Sequence, residues 1–285
     1  MITTSSINAV RGLIAKAKKQ NKKIGFVPTM GALHAGHLEL VRRASCECSF
    51  VAVSIFVNPK QFGLGEDLSK YPRPLSQDKR LLAGAGIDLL FCPRPQTVYP
   101  VEFSTYVEET ALSLGLCADR RPGHFRGVCT VVAKLFNIVS PDIAYFGQKD
   151  YQQVKVIERM VRDLDFPITI KTVPTVRERS GLALSSRNVY LSEVERNQAL
   201  ILSRALAFAG DRIKRGERDA DKIIKQMRSM ILTISGARID YAEIRDSRTL
   251  GPVKNIRSGV VVALAIFIGK TRLIDNMIFK PKDVK

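Results

Sequence analysis

The chain has 285 residues, 45% of them hydrophobic and 25% charged, the balance of a soluble globular protein with room for one or two domains. Its 45 Lys and Arg against 27 Asp and Glu give a formal net charge of +18, which favours a polyanionic partner, either a nucleotide or a nucleic acid. The longest apolar run, Val260 to Ile268, has nine residues; that is far short of the ~20 that span a bilayer, so it reads as a buried strand and no membrane partner is expected.

The first 23 residues carry Arg11, Lys16, Lys18, Lys19, Lys22 and Lys23 and no acid, which superficially resembles a transit peptide. Ile7, Val10, Ile14 and Ala17 fall on one helical face, however, so the segment reads as a first helix ahead of a first strand at Ile24. Apolar strands are then predicted at Ile24–Val27, Val51–Val57, Ile87–Phe91, Ile143–Phe146 and Ile168–Val173. Helical patterns lie between them at Leu38–Ala44, Leu75–Ala85, Gly127–Val139 and Tyr151–Leu164. Continuous apolar strands alternating with amphipathic helices imply a parallel sheet covered on both faces, an α/β fold. After about Pro174 a polar loop from Val176 to Asn188 leads to two predicted helices, near Ser192–Ala209 and Asp219–Ile234. Strands at Arg238–Ile244 and Gly259–Ile268 complete a smaller α+β domain, dividing the chain at 1–174 and 175–285. The five cysteines, Cys46, Cys48, Cys92, Cys117 and Cys129, form no C-x-x-C pair and have no histidine at zinc spacing. They read as small buried side chains in a reducing, cytoplasmic setting.

All three histidines sit in two short segments. His34 and His37 belong to Pro28-Thr29-Met30-Gly31-Ala32-Leu33-His34-Ala35-Gly36-His37, between the strand at Ile24 and the helix at Leu38. A strand, a glycine turn and a helix start make a natural anion site, because the first N–H groups of a helix have no internal partner. Gly31 and Gly36 stand at the spacing of P-loop glycines, but His37 takes the lysine position and Leu38 that of the magnesium-binding Ser/Thr, which argues against an ordinary P-loop NTPase. A solvated surface turn is the plain alternative for a lone histidine; a pair between two glycines after an apolar strand points instead to nucleotide chemistry.

Ligands of parallel sheets bind beyond the carboxyl ends of the strands, and two more segments directly follow strands. Asn58-Pro59-Lys60-Gln61-Phe62-Gly63 offers neutral amides suited to hydroxyl and carboxylate groups, or is simply a polar turn. Gly147-Gln148-Lys149-Asp150-Tyr151-Gln152-Gln153 is a glycine turn opening a helix. In it Lys149 can sit on a phosphate, Asp150 can cap the helix or bind a ribose hydroxyl, and Gln153 shares a face with Asp150. These three segments are expected to meet at one sheet edge. Further on, Leu184-Ser185-Ser186-Arg187-Asn188 combines hydroxyls with a forked guanidinium, a match for a triphosphate unless it is a solvated loop. His124, in Arg120-Arg121-Pro122-Gly123-His124-Phe125-Arg126, precedes a helix and can support anion binding.

Taken together and in this order, these motifs resemble the pantothenate synthetase (pantoate–β-alanine ligase) family over nearly the whole chain. The resemblance also takes in Tyr71-Pro72-Arg73, His124-Phe125-Arg126-Gly127-Val128 and Arg272-Leu273-Ile274-Asp275-Asn276. The family is one of the HxGH nucleotidyltransferases and joins (R)-pantoate to β-alanine with ATP and Mg²⁺, releasing AMP and pyrophosphate. The resemblance implies a Rossmann-like doubly wound parallel sheet, a smaller mobile C-terminal lid and a homodimer. It implies that Met30, Gly31, Ala32, Leu33, His34, Ala35, Gly36 and His37 contact ATP, with His34 and His37 on the phosphates. Gly147, Gln148, Lys149, Asp150, Val176, Leu184, Ser185, Ser186 and Arg187 would complete the ATP site, and His37, His34, Lys149 and Arg187 would assist the chemistry. Gln61 and Gln153 would hold pantoate, with Gln61 also near β-alanine. Gln148 and Ser180 depart from the family pattern, in which glutamate and aspartate are common at those places. Another HxGH-class adenylyltransferase is the nearest alternative. A basic nucleic-acid module is the alternative of a different class, but no aromatic platform for single strands is evident, so no nucleic-acid partner is expected.

Overall fold

A computed structural model describes residues 1–63 and 65–280; residues 281–285, at the end of the expected C-terminal domain, lie outside the described residues. The chain packs as two compact units. The first comprises Met1–Ser113, Arg121–Gln148 and Gln153–Pro174, and the second Leu114–Arg120, Lys149–Gln152 and Thr175–Lys285.

The first unit carries β1 (Ile2–Thr4), α1 (Ile7–Lys19), β2 (Ile24–Thr29), α2 (Ala35–Glu47), β3 (Phe50–Ile55), α3 (Leu75–Gly84) and β4 (Leu89–Phe91). It continues through a single-turn α4 (Pro95–Val98), α5 (His124–Val139), β5 (Ile143–Gly147), α6 (Tyr151–Asp163) and β6 (Thr169–Val173), the first two residues of α6 counting with the second unit. Its strands form one parallel sheet in the order β1-β4-β3-β2-β5-β6. From β2 the chain steps through β3 to β4, then returns to β2's other side for β5 and β6. This is the Rossmann-like doubly wound order, and its reversal between β2 and β5 is the switch point at which such sheets leave a crevice. Thirteen of the sixteen residues of α5 are buried, as a helix covered on nearly every side requires. Val27, Leu40, Val41, Val53, Leu82, Leu90, Ile143 and Tyr145 pack into one core around β2; each large aliphatic among them contributes about 1.5–3 kcal/mol by leaving water.

The second unit holds α7 (Glu193–Gln198), α8 (Ile201–Lys214), α9 (Ala220–Leu232) and an antiparallel sheet of β7 (Ala237–Asp246), β8 (Val260–Ile268) and β9 (Thr271–Phe279) in that order. Its core joins Leu202, Leu206, Ile213, Ile223 and Met227 from the helices to Val260, Val262, Leu264 and Ile266 from β8.

Four expectations need correction. The first strand is β1, not β2: Ile2–Thr4 is too short to show a period, and its pairing with Leu89–Phe91 depends on chain far away. The helix expected over Ser192–Ala209 is two helices, parted at Ala199 and Leu200, whose backbones stay right-handed; no glycine or proline marks the break. A third strand, β9, follows β8, its apolar alternation broken by the buried pair Asp275 and Asn276. The loop from Val176 to Asn188 is partly ordered as a small hairpin, with Arg177 bridged to Ala183 and the Leu184 amide donating to the Val176 carbonyl at 3.0 Å.

Candidate active site

The turn after β2 is held by side chains that take up its own amides. His34 is the N-cap of α2: its Nδ1 accepts from the Gly36 amide at 3.1 Å, and the Nδ1 of His37 accepts from the His34 amide at 3.3 Å. This is a capping box built from two imidazoles, with ring centroids 4.1 Å apart. Because each Nδ1 accepts, each neutral ring carries its proton on Nε2, and Nε2 becomes the donor.

Upstream, Gly31 and Ala32 have φ of +83° and +50°, and a Cβ on Gly31 would come within 3.0 Å of Asp78 Oδ2 and of Ile55. Glycine is therefore needed both for the left-handed backbone and for the space. The carboxylate of Asp78, on the first turn of α3 and only 1% exposed, accepts from the amides of Ala32 at 2.9 Å and Leu33 at 2.8 Å. The Gly31 amide donates to Thr29 Oγ1, whose hydroxyl donates to the Ser54 carbonyl. The amides of Gly31, Ala32, Leu33, His34 and Gly36 thus all have internal acceptors. With the Gly36 amide of the helix start taken by His34, the imidazole Nε2 groups are further donors that this turn can offer an anion. Leu33 itself points into the core.

At the end of β3, Asn58 is 1% exposed and its orientation is over-determined. Its Nδ2 donates to the Gly127 carbonyl and to Gln61 Oε1, both at 3.0 Å; its Oδ1 accepts from Tyr99 Oη at 2.8 Å and the Lys60 amide at 3.2 Å. Burial, with a smaller push from Tyr106, raises the Tyr99 phenol well above its ordinary value, so it remains a donor. These bonds settle the Gln61 amide, whose Nε2 donates toward Met30 Sδ at 3.3 Å. Gln61 and Met30, expected on different substrates, are therefore neighbours. The Gln61 carbonyl accepts from His124 Nδ1 at 2.8 Å and from Arg121 Nη2 at 3.2 Å. His124 is thus 7% exposed and supports the Gln61 backbone. Arg121 also forms an ion pair with Glu66. Burial pushes the Glu66 carboxyl up, but the bonds and charge of Arg121 outweigh this and hold it below its usual value. A Cβ on Gly127 would fall 2.1 Å from the Lys60 carbonyl oxygen, so only glycine lets α5 approach this turn.

Parallel pairing of β2 with both β3 and β5 sets their carboxyl ends side by side. The His34/His37 turn, the Asn58–Gln61 turn and Gly147 with Gln148 therefore meet at one edge, as expected. Gln153 follows as the third residue of α6, half-buried.

The remaining expected residues belong to the second unit. Lys149 and Asp150 lie in a 3₁₀ turn. The Lys149 carbonyl accepts from Asn276 Nδ2 at 2.9 Å. Ser185 caps the 3₁₀ turn Ser186–Tyr190, its hydroxyl accepting from the Arg187 amide at 3.2 Å. Val176 and Leu184 close the base of the preceding hairpin. Arg177 forms a fork with Asp275, at 2.6 and 2.9 Å, and donates to the Gly181 carbonyl at 3.1 Å. Lys149, Ser185, Asn188 and Asp275 line one small pocket. Of the two departures, Ser180 lies exposed with its hydroxyl 3.5 Å from the Glu178 carboxylate, and Gln148 ends the stretch Arg121–Gln148 of the first unit.

Asp78, Tyr99, Gly127, Arg177 and Asn276 were not singled out individually. Each acts through a partner distant in sequence, and nothing in its own neighbourhood announces the contact. All five cysteines are free thiols, and no helix among the described residues is long and apolar enough to cross a membrane.

The pantoate–β-alanine ligase family model matches residues 2–278. A pantothenate synthetase from Moorella thermoacetica is 54% identical over 278 residues, 98% of each chain. Another, from Thermotoga petrophila, is 53% identical over 273 residues, covering 96% of this chain and 98% of that one. The crystal structure of a pantothenate synthetase from Thermus thermophilus superposes with a TM-score of 0.92 at 46% identity, over 97% of this chain and 99% of that one. A pantoate–β-alanine ligase from Francisella tularensis, solved with beta-gamma ATP and β-alanine, superposes with a TM-score of 0.79 at 36% identity, over 99% and 98% of the two chains. The chain belongs to the pantoate–β-alanine ligase family, and it is an enzyme of the ligase class.

Proposed function

We propose that this ligase activates (R)-pantoate with ATP. A carboxylate oxygen of pantoate attacks the α-phosphorus, the bond to pyrophosphate breaks, and pantoyl adenylate forms. The β-alanine amine then attacks the acyl carbon, loses a proton and displaces AMP, giving pantothenate. A carboxylate is already nucleophilic at neutral pH, so no Ser or Cys nucleophile is needed. The protein's work is alignment and stabilisation of charge on the departing pyrophosphate.

The observation that carries this reading is the reciprocal His34–His37 cap beside the switch point, which makes two Nε2 donors at the carboxyl end of β2. On the first unit, Met30 through His37 with Gly147 and Gln148 are assigned to ATP, and Gln61 and Gln153 to pantoate, with Gln61 also near β-alanine. On the second, Lys149, Asp150, Val176, Leu184, Ser185, Ser186 and Arg187 are assigned to ATP. Support for ATP and β-alanine comes from the Francisella tularensis relative, whose complex contains β-alanine and a nucleotide.

Among the described residues no group of three or more His, Cys, Asp or Glu could hold a metal ion. Mg²⁺ is proposed on the family resemblance, carried by the nucleotide, since Mg²⁺ is commonly held by one or two carboxylates plus substrate phosphates. It would neutralise phosphate charge there. Free thiols suit a cytoplasmic enzyme, and a homodimer is proposed on the family resemblance. The test is exchange of labelled pyrophosphate into ATP with pantoate as the sole acid. Exchange that requires pantoate and needs no β-alanine is expected; exchange with another acid instead would point to a different HxGH adenylyltransferase.

A further inference from the structure

Strand β9 places two polar residues in succession where a strand packed on a core would carry at most one. Asp275 is 3% exposed and Asn276 4%. Buried polar groups cost folding free energy unless they are bonded, so each needs a partner that justifies it. The partners are the backbone of one phosphate-assigned residue and the base of the hairpin that leads to the other. Asn276 Nδ2 donates to the Lys149 carbonyl at 2.9 Å. Asp275 takes the fork of Arg177, and Arg177 Nη1 also donates to the Gly181 carbonyl at 3.1 Å. The two residues are coupled, because Asp275 Oδ1 also accepts from the Asn276 amide at 2.8 Å. A planar fork bound at both nitrogens fixes orientation as well as distance.

We infer that Asn276 and Asp275 are positioning residues for adenylate formation: Asn276 sets the main chain of Lys149, and Asp275, through Arg177, sets the hairpin that ends at Ser185 and Arg187. The inference rests on the reading that Lys149 and Arg187 meet the phosphates of ATP. Neither β9 residue needs to touch substrate. Both act by fixing where a flexible cation begins, and a displacement of about 1 Å in such a group can cost on the order of 10²-fold in rate.

The experiment uses the full-length enzyme and measures its half-reactions separately. Asn276→Leu is nearly isosteric and removes the donor; Asn276→Ser is the fallback if that variant does not fold, judged by circular dichroism and melting. Pantoate-dependent pyrophosphate exchange is expected to fall about 10- to 100-fold and the ATP KM to rise. The pantoate KM, and the amine step from preformed pantoyl adenylate, should stay near wild type. In a Lys149→Ala background the same substitution should add almost nothing, since residues acting through one another are not additive. Asp275→Asn should behave in the same way against Arg187→Ala. Losses that multiply in the double variants, or equal slowing of both half-reactions, would overturn the positioning role while leaving the ATP reading intact. An unchanged exchange rate in Lys149→Ala would overturn the ATP reading and this inference with it.

Discussion

The turn after β2, in the first unit, and the hairpin before α7, in the second, are both short polar segments, and they are fixed in different ways. In the first, His37 takes the His34 amide and His34 the Gly36 amide within one helical turn, and Asp78 supplies a distant brace, 46 residues from Ala32. In the second, local bonds close the hairpin and its brace comes from β9, where Asp275 lies 98 residues beyond Arg177, as Asn276 lies 127 beyond Lys149. A local cap forms with its helix and loses little chain entropy. A brace from a distant strand exists only once the whole unit has folded. The histidine turn should therefore respond to mutation mainly in chemistry, and the hairpin in geometry.

The sharpest attempt to break this contrast is His37→Ala. Losing one donor aimed at developing charge should lower pantoyl-adenylate formation about 10²–10³-fold in single-turnover assays. The helix should lose only about 0.5–2 kcal/mol of capping. A folded variant with unaltered adenylation would place the chemistry elsewhere.

Asp78→Ala tests the distant brace that α3 supplies to the local turn. It removes the acceptor of the buried Leu33 amide, at about 1–3 kcal/mol for an unsatisfied group, and one acceptor of the half-buried Ala32 amide. Denaturant unfolding should register the loss, and adenylation should decline less than in His37→Ala. A stability equal to wild type would show that the brace is redundant.

Gln153→Ala should raise the pantoate KM well above its effect on the ATP KM, since a neutral amide suits hydroxyl and carboxylate groups. Steady-state kinetics with each substrate varied in turn would give the answer, and the reverse order would reassign the residue.

The smallest effect concerns Glu66. Its carboxyl sits below the ordinary 4.5 in the folded protein, so the pair with Arg121 adds stability that is present above that value. This contribution disappears as pH falls through the lower folded value. Glu66→Gln should cost at most about 1 kcal/mol near neutrality and flatten the acid dependence below about pH 4.5. Parallel wild-type and variant melting curves across pH 3–7 would contradict this.

Much of this protein was legible in the residues alone. The five inner and edge strands from Ile24 to Val173, the amphipathic helices between them, the strand–turn–helix around His34 and the start of α7 at Ser192 could all be placed by local rules. Period, capping and turn chemistry depend on residues within a few positions of one another, and those relations survive in a linear text. The same rules singled out Gln61, Lys149 and Arg187 as candidates, and the motifs in their order carried the resemblance to the family.

What only the tertiary structure decided is the set of partners. That the amides of Ala32 and Leu33 ahead of α2 are taken up follows from Asp78 folding back onto them. The role of His124 as a support for Gln61, the need for glycine at Gly127, the edge pairing of β1, the third strand β9 and the braces from Asp275 and Asn276 share that origin. Each is a contact between segments far apart along the chain. Such partners are chosen by which surfaces meet when the core closes, a collective outcome of burial and chain path that no local pattern contains.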